Sequence, residues 1–264
     1  MSSVTIVIPA RFASSRLPEK MLLDETGWPL IRHVFEQAKK VKKAGRILIA
    51  TDDQRIVDVI EGCGGEAIMT SPDHPNGTSR IAEVAAKLSS TDIIVNVQGD
   101  EPEIEPEKIE ALIDVFMAGD ADMGTLVTPF PMHAKDGPGS PLDPNCVKAV
   151  LGAPVKKDDG NVLGYQALYF SRSPIPYARD HAGAVINPAD YFLHLGIYAY
   201  RPAFLQKYIN LPQGKLENTE KLEQLRVLEN GFKIVAGIVP EATPGIDTRI
   251  DYDAFLARWQ RKEG

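Results

Sequence analysis

The residues of this chain best equipped for chemistry form a short cationic loop, PARFASSRLPEK, in which Arg11, Arg16 and Lys20 are spaced among Ala13, Ser14 and Ser15. Small side chains let backbone N–H groups approach an oxyanion, two guanidiniums can grip phosphate oxygens in bidentate fashion, and a lysine adds a mobile point charge. Pro9 and Pro18 discourage helix across the loop. The pattern fits a triphosphate cradle. It is neither a G-x-x-x-x-G-K-[ST] loop nor a G-x-G-x-x-G turn, so P-loop and dinucleotide readings lose their main support. A solvated basic loop is the competing explanation. Position counts against it: the loop leaves Val4 to Ile8, β-branched and apolar apart from Thr5, which reads as a strand covered on both faces.

A second set of candidates is acidic. In VNVQGDEP, Asp100 follows an apolar run, with Gly99 allowing close backbone approach and Pro102 ending the loop. A carboxylate there can hold Mg²⁺, a hard cation that often bridges one or two carboxylates to substrate phosphates. Asp247, in PGIDT, is expected to stand equivalently after a late strand, so that the two loops meet over the sheet. Both aspartates also suit ordinary turns or helix N-caps, and spacing alone does not separate the readings.

Several elements must position these groups. Ile31, Val34, Phe35, Ala38 and Val41 recur at helical spacing, and RILIATDD follows the break at Gly45 as a second strand. Strand EAIMT, a helix through Ile81, Val84, Ala85 and Leu88, strand DIIVNV and a helix through Ile109, Leu112, Ile113 and Phe116 continue the alternation. Such alternation predicts a mostly parallel sheet with helices on both faces and binding loops at the C-terminal strand ends. From about residue 125, GTLVTPF, CVKAVLG, LGYQALYFS and FLHLGIYAYR read as shorter strands of an inserted, more antiparallel subdomain around 125–210, within a single domain over 1–264. NTEKLEQLRVLENG reads as one helix with Leu222, Leu225 and Leu228 on a face, stopped by Gly231. KIVAGIV then returns as a strand, and a final helix is expected around Tyr252 to Trp259.

Composition bounds the function. With 264 residues, 44% of them hydrophobic, the chain can bury a full core without disulfides or metals. Cys63 and Cys146 lack any C-x-x-C partner, which disfavours zinc and redox motifs and fits a reducing cytoplasm. The five histidines show no H-E-x-x-H spacing. A net charge of -7 argues against wholesale nucleic-acid binding, so an anionic ligand must be met by a local cation cluster. The first residues lack the pattern of a secretion signal, and no apolar run approaches the roughly 18 to 20 residues of a membrane helix, so no membrane insertion is expected.

The order and spacing of IPARFASSRLPEK, ATDD, DHPNGTSRIAEV, VNVQGDEP, ALYFSRSPIP, HLGIYAY, LEQLRVLENG and PGIDT resemble, over nearly the whole length, the 3-deoxy-manno-octulosonate cytidylyltransferases, or CMP-Kdo synthetases. The resemblance implies a nucleotide-diphospho-sugar-transferase-like three-layer α/β sandwich with a mostly parallel sheet and a smaller inserted dimerisation and sugar-binding subdomain. It implies transfer of CMP from CTP to an eight-carbon sugar acid, with release of pyrophosphate, for lipopolysaccharide synthesis. A cytoplasmic homodimer in a Gram-negative-type bacterium follows on the same basis. Carried onto this chain, Arg11, Ser14, Arg16 and Lys20 would engage the CTP phosphates, Ala10 and Asp52 would lie near the nucleoside, and Asp100 and Asp247 would ligate Mg²⁺. Gln98, Arg172, His194, Tyr198, Glu223 and Gln224 would contact the sugar acid, with Gly77 and Arg80 lining the adjoining loop. The expected catalytic set is Lys20, Arg11, Arg16 and Asp100, with no residue assigned as general base.

Four of the sugar-site residues also have a plain structural explanation. His194 can be a hydrogen-bonded core histidine, Glu223 and Gln224 can face solvent opposite a leucine stripe, and Arg172 can pair with Asp180. Two positions depart from the family pattern: Glu19 stands where L-P-G-K is common, and Ser79 where an acidic residue is frequent. The 8-amino relative of the sugar acid, or a nonulosonate, would use nearly the same motifs. A catalytically silent nucleotide-binding protein and a metal-dependent glycosyltransferase, suggested weakly by GDEPE, are the readings of other classes.

Overall fold

The computed structural model describes residues 3–14 and 16–263, so Ser15 of the cationic loop lies outside the described residues. The chain divides into two compact units, the first comprising residues up to Glu110 and those from Thr243 on, the second Ala111–Ala242.

In the first unit, every residue of β1 (Val4–Ala10) is buried, as its apolar run predicts. Helix α1 (Leu30–Ala38) buries Leu30, Ile31, Val34, Phe35 and Ala38. Strand β2 (Arg46–Thr51) leads into α2 (Gln54–Gly62), whose first turn is capped by the Asp53 carboxylate accepting from the Arg55 N–H. After β3 (Glu66–Met69), α3 (Gly77–Ala86) is capped by Asn76, which accepts from the Ser79 N–H at 2.9 Å. The Ser79 hydroxyl turns back to the Asn76 carbonyl, so this side chain completes the helix start. Strand β4 (Ile93–Asn96) is fully buried, and helix α4 (Pro106–Ala118) follows in the chain.

These four strands run parallel in the order β3-β2-β1-β4. The chain winds outward from β1 in both directions, so the crevice between the loops after β1 and β4 is a topological switch point, where α/β sheets bind ligands.

The second unit holds β5 (Met123–Pro129), β6 (Lys148–Lys156), β7 (Val162–Ser171), β8 (Phe192–Tyr200), α5 (Pro202–Tyr208), α6 (Lys215–Glu220), α7 (Gln224–Glu229) and β9 (Ile234–Ile238). Pairing is antiparallel except between β5 and β9, in the order β8-β5-β9-β7-β6, and β6 meets β8 again to close the ring. The single helix expected across NTEKLEQLRVLENG is two helices. Lys221 takes φ 54°, ends α6 and turns the chain. The break lets Arg226 of α7 form a buried bidentate pair with Glu217 of α6 and lets the Glu229 carboxylate accept from the Leu216 and Glu217 N–H groups. Gly231, at φ 77°, ends α7 as expected.

Helix α8 (Arg249–Glu263) closes the first unit. Its Tyr252 and Phe255 pack with Leu17, Leu30 and Ile246 in one buried cluster. Among the described residues no helix is long and apolar enough to cross a membrane.

Candidate active site

A cleft of about 290 Å³ in the first unit is lined by Arg11, Ser14, Arg16 and Lys20 from the loop after β1, Gln98, Gly99 and Asp100 from the loop after β4, Gly77 at the start of α3, and Asp247. The buried Lys20 ammonium donates to the Asp100 carboxylate at 2.8 Å and to the Ile246 carbonyl at 2.6 Å, with the Asp247 carboxylate at 3.5 Å. Arg16 bonds Asp247 at 2.9 Å in an exposed pair, which contributes little to stability. Both aspartates thus converge on one cationic group.

Asp247 does not follow a strand directly. It precedes α8, and the Asp251 carboxylate accepts from the backbone N–H groups of Asp247 and Thr248. Two apolar anchors set its position: Leu17, three residues before Lys20, and Ile246, immediately before Asp247, share the α8 cluster. The Ile246 N–H also donates to the Asp100 carbonyl at 2.9 Å, joining the two acidic loops through their main chains.

Gly99 allows the close approach that brings Asp100 into the cleft. A Cβ there would lie 2.7 Å from the Pro9 carbonyl oxygen and 3.3 Å from the Met21 sulfur. Gly99→Ala is therefore expected to cost about 1–3 kcal/mol in stability and roughly tenfold in turnover, because the Asp100 loop must shift. A thermal melt and a steady-state assay check this, and wild-type values in both would show that the approach is not needed.

Ala10, Asp52 and Arg80 do not line the cleft. Ala10 is buried in β1. Arg80 is fully buried, donating to Asp52 at 2.7 Å and to the Thr70 hydroxyl. The second oxygen of Asp52 accepts from the Phe12 N–H at 3.0 Å, so this buried ion pair braces the cationic loop from behind. Arg55 stacks 3.6 Å from the centre of the Phe12 ring and adds a second brace. Glu19, where the family favours glycine, takes the left-handed conformation at φ 54° that glycine adopts without strain.

Sequence reasoning gave Glu101 no role of its own. Burial, reinforced by the neighbouring Asp100 charge and opposed by Lys108, pushes its carboxyl up to about 8.

The remaining candidates lie in the second unit. Arg172, just after β7, does not pair with Asp180: its guanidinium donates to the carbonyls of Glu220, Pro144 and Lys221. Gln224 is buried rather than on an outer solvated face, and among the described residues its Nε2 has no hydrogen-bond partner. Glu223, beside it, is the N-cap residue of α7. His194 and Tyr198 stand on β8 with ring centres 5.6 Å apart, and the His194 Nε2 is 3.1 Å from the Thr125 hydroxyl. Desolvation pushes His194 down to about 3, so it is neutral and offers a hydrogen bond rather than a cation for a carboxylate.

A cation-lined cleft with convergent carboxylates at the switch point of a parallel sheet is the equipment of an α/β nucleotidyltransferase. The cytidylyltransferase family model matches residues 5–234, and the chain belongs to that family. A 3-deoxy-manno-octulosonate cytidylyltransferase of Syntrophobacter fumaroxidans is 45% identical over 95% of this chain and 94% of its own. An 8-amino-3,8-dideoxy-manno-octulosonate cytidylyltransferase of Shewanella sediminis is 41% identical over 94% of this chain and 95% of its own. Among solved structures, a CMP:2-keto-3-deoxy-manno-octonic acid synthetase complexed with CTP superposes with a TM-score of 0.86 at 39% identity, covering 99% of this chain and 100% of that one.

Proposed function

We infer that this chain transfers CMP from CTP to the anomeric hydroxyl of 3-deoxy-manno-octulosonate, with release of pyrophosphate. The observation that carries the reading is the near-complete likeness to the CTP-complexed synthetase, together with a cleft whose charges suit a triphosphate. The hydroxyl oxygen bonds to the α-phosphorus as the bond to the β-phosphate oxygen breaks, and the hydroxyl proton leaves to solvent. No covalent enzyme intermediate is needed, so the demands are alignment and neutralisation of charge. Arg11 and Arg16 grip the phosphates, and Lys20, held between Asp100 and Asp247, stabilises charge on the transferring group. Arg172, Tyr198, Glu223 and Gln224 orient the sugar acid in this reading, with neutral His194 as a hydrogen-bonding neighbour.

Mg²⁺ is the proposed cofactor, with Asp100 and Asp247 as its protein ligands. The donor set fits: both carboxylates already turn toward a single cationic group. Two carboxylates suit a hard ion whose remaining positions water and phosphate oxygens complete. When bound, the ion would polarise phosphate oxygens and neutralise their charge. A homodimer, a cytoplasmic location and use of the product in lipopolysaccharide synthesis complete the reading, on family resemblance.

The 8-amino sugar acid is the second reading, favoured by the Shewanella relative. The experiment is pyrophosphate release with CTP and Mg²⁺, comparing 3-deoxy-manno-octulosonate, its 8-amino analogue and a nonulosonate at equal concentrations. Preference for the first is expected. Preference for another acid would reassign the sugar pocket, and CTP binding without release on any acid would leave only a nucleotide-binding protein.

A further inference from the structure

Lys148, at the start of β6, is fully buried, yet among the described residues no carboxylate forms an ion pair with it. Its ammonium instead donates to three main-chain carbonyls: Asp143 at 2.9 Å, Cys146 at 2.5 Å and Arg172 at 2.5 Å. All the donors of the ammonium are used, and burial lowers its proton affinity. Burying a charge with no carboxylate in contact is costly, and the Asp143 and Glu220 carboxylates offset that cost only from longer range, so this cage calls for an explanation beyond filling space.

The carbonyls belong to two segments, and both support the same guanidinium. Pro144, inside the loop pinned at Asp143 and Cys146, accepts from Arg172 Nη1 at 2.9 Å. The carbonyls of Glu220 and Lys221 accept from Nε at 2.6 Å and Nη2 at 3.5 Å. The Glu220 carboxylate is engaged elsewhere, by the Ser171 hydroxyl at 2.7 Å and the Arg172 N–H at 2.9 Å. The Arg172 guanidinium is thus held rigidly by neutral acceptors, and its charge remains available to an anion.

We propose that Lys148 is a positioning residue for Arg172, fixing the 143–146 loop and the Arg172 main chain so that the guanidinium meets the carboxylate of the sugar acid. This rests on the reading above that Arg172 contacts that substrate. A merely structural lysine would affect both substrates together through stability. A positioning lysine acts on one.

The test compares Lys148→Met, Arg172→Gln and the double variant in steady-state kinetics, with thermal melts as control. Lys148→Met is expected to raise KM for 3-deoxy-manno-octulosonate about tenfold or more, while KM for CTP stays within roughly twofold. In the double variant, KM for the sugar acid is expected to match that of Arg172→Gln within about twofold, because the lysine acts through the arginine. If Lys148→Met does not fold, Lys148→Gln, which retains two donors, carries the same comparison. An unchanged sugar-acid KM in the lysine variant, an equal rise for both substrates, or multiplying effects in the double variant would overturn the proposal while Arg172→Gln remains impaired. A normal sugar-acid KM in Arg172→Gln would overturn the assignment of Arg172 itself, and this inference with it.

Discussion

Asp100→Asn is expected to lower turnover by about a thousandfold or more while the protein stays folded. The substitution preserves the shape of the side chain and leaves an amide oxygen for the Lys20 ammonium, 2.8 Å away in the wild type. It removes the charge. If Asp100 and Asp247 hold the metal, one neutral oxygen and one carboxylate form a much weaker site for a hard divalent ion. The folded state loses a charged partner of a buried lysine, which costs about 1–3 kcal/mol, and Ile246 and Asp247 still support that lysine. Pyrophosphate release measured across a Mg²⁺ titration, with a thermal melt beside it, separates the two effects. Activity near that of the wild type would sink the metal assignment. A lost melting transition would instead make Asp100 chiefly a structural partner of Lys20.

The parallel half of the fold is legible in short apolar runs. VTIVIPA, RILIAT and IIVN are β-branched and apolar enough to be buried on both faces, and each is a strand of the first unit. The helix break at Lys221 is not legible. Leu222 and Leu225 continue the leucine spacing and are buried, but Val227 rather than Leu228 completes the buried set, and the left-handed residue is a lysine. What fixes the break is the Arg226–Glu217 pair, visible only once the helices are placed.

The same division holds at the cleft. The cationic loop and Asp100 could be singled out from local composition, because each follows a buried strand. Asp52 and Arg80 could not be separated from cleft residues by local pattern, since their partnership joins positions 28 apart. The position of Asp247 depends on Ile246 packing with Leu17, a contact across most of the chain that leaves no local periodicity. Family resemblance supplied the choice of residues where spacing was silent, and geometry then divided those of the first unit into groups that face the cleft and groups that brace it.

Lys20→Met is the counterpart to the first substitution, and its expected signature is a fall in kcat of about a hundred- to a thousandfold with a much smaller change in CTP affinity. Arg11 and Arg16 remain in the cleft, and in the proposed reading they still hold the phosphates of the nucleotide. Methionine fills the buried course of the lysine stem, so packing is largely retained. The loss falls on the charge that Asp100, Asp247 and the Ile246 carbonyl hold in place. Lys20→Arg retains a positive charge but replaces a compact ammonium by a planar fork, which cannot occupy the same 2.6–3.5 Å shell around three acceptors. It is expected to recover less than about a tenth of the lost rate. Equilibrium CTP binding together with single-turnover rates distinguishes the roles. If Lys20→Met weakens CTP binding but leaves the bound-state rate unchanged, the lysine is a ground-state phosphate contact and stabilisation of the transferring group must come from the arginines.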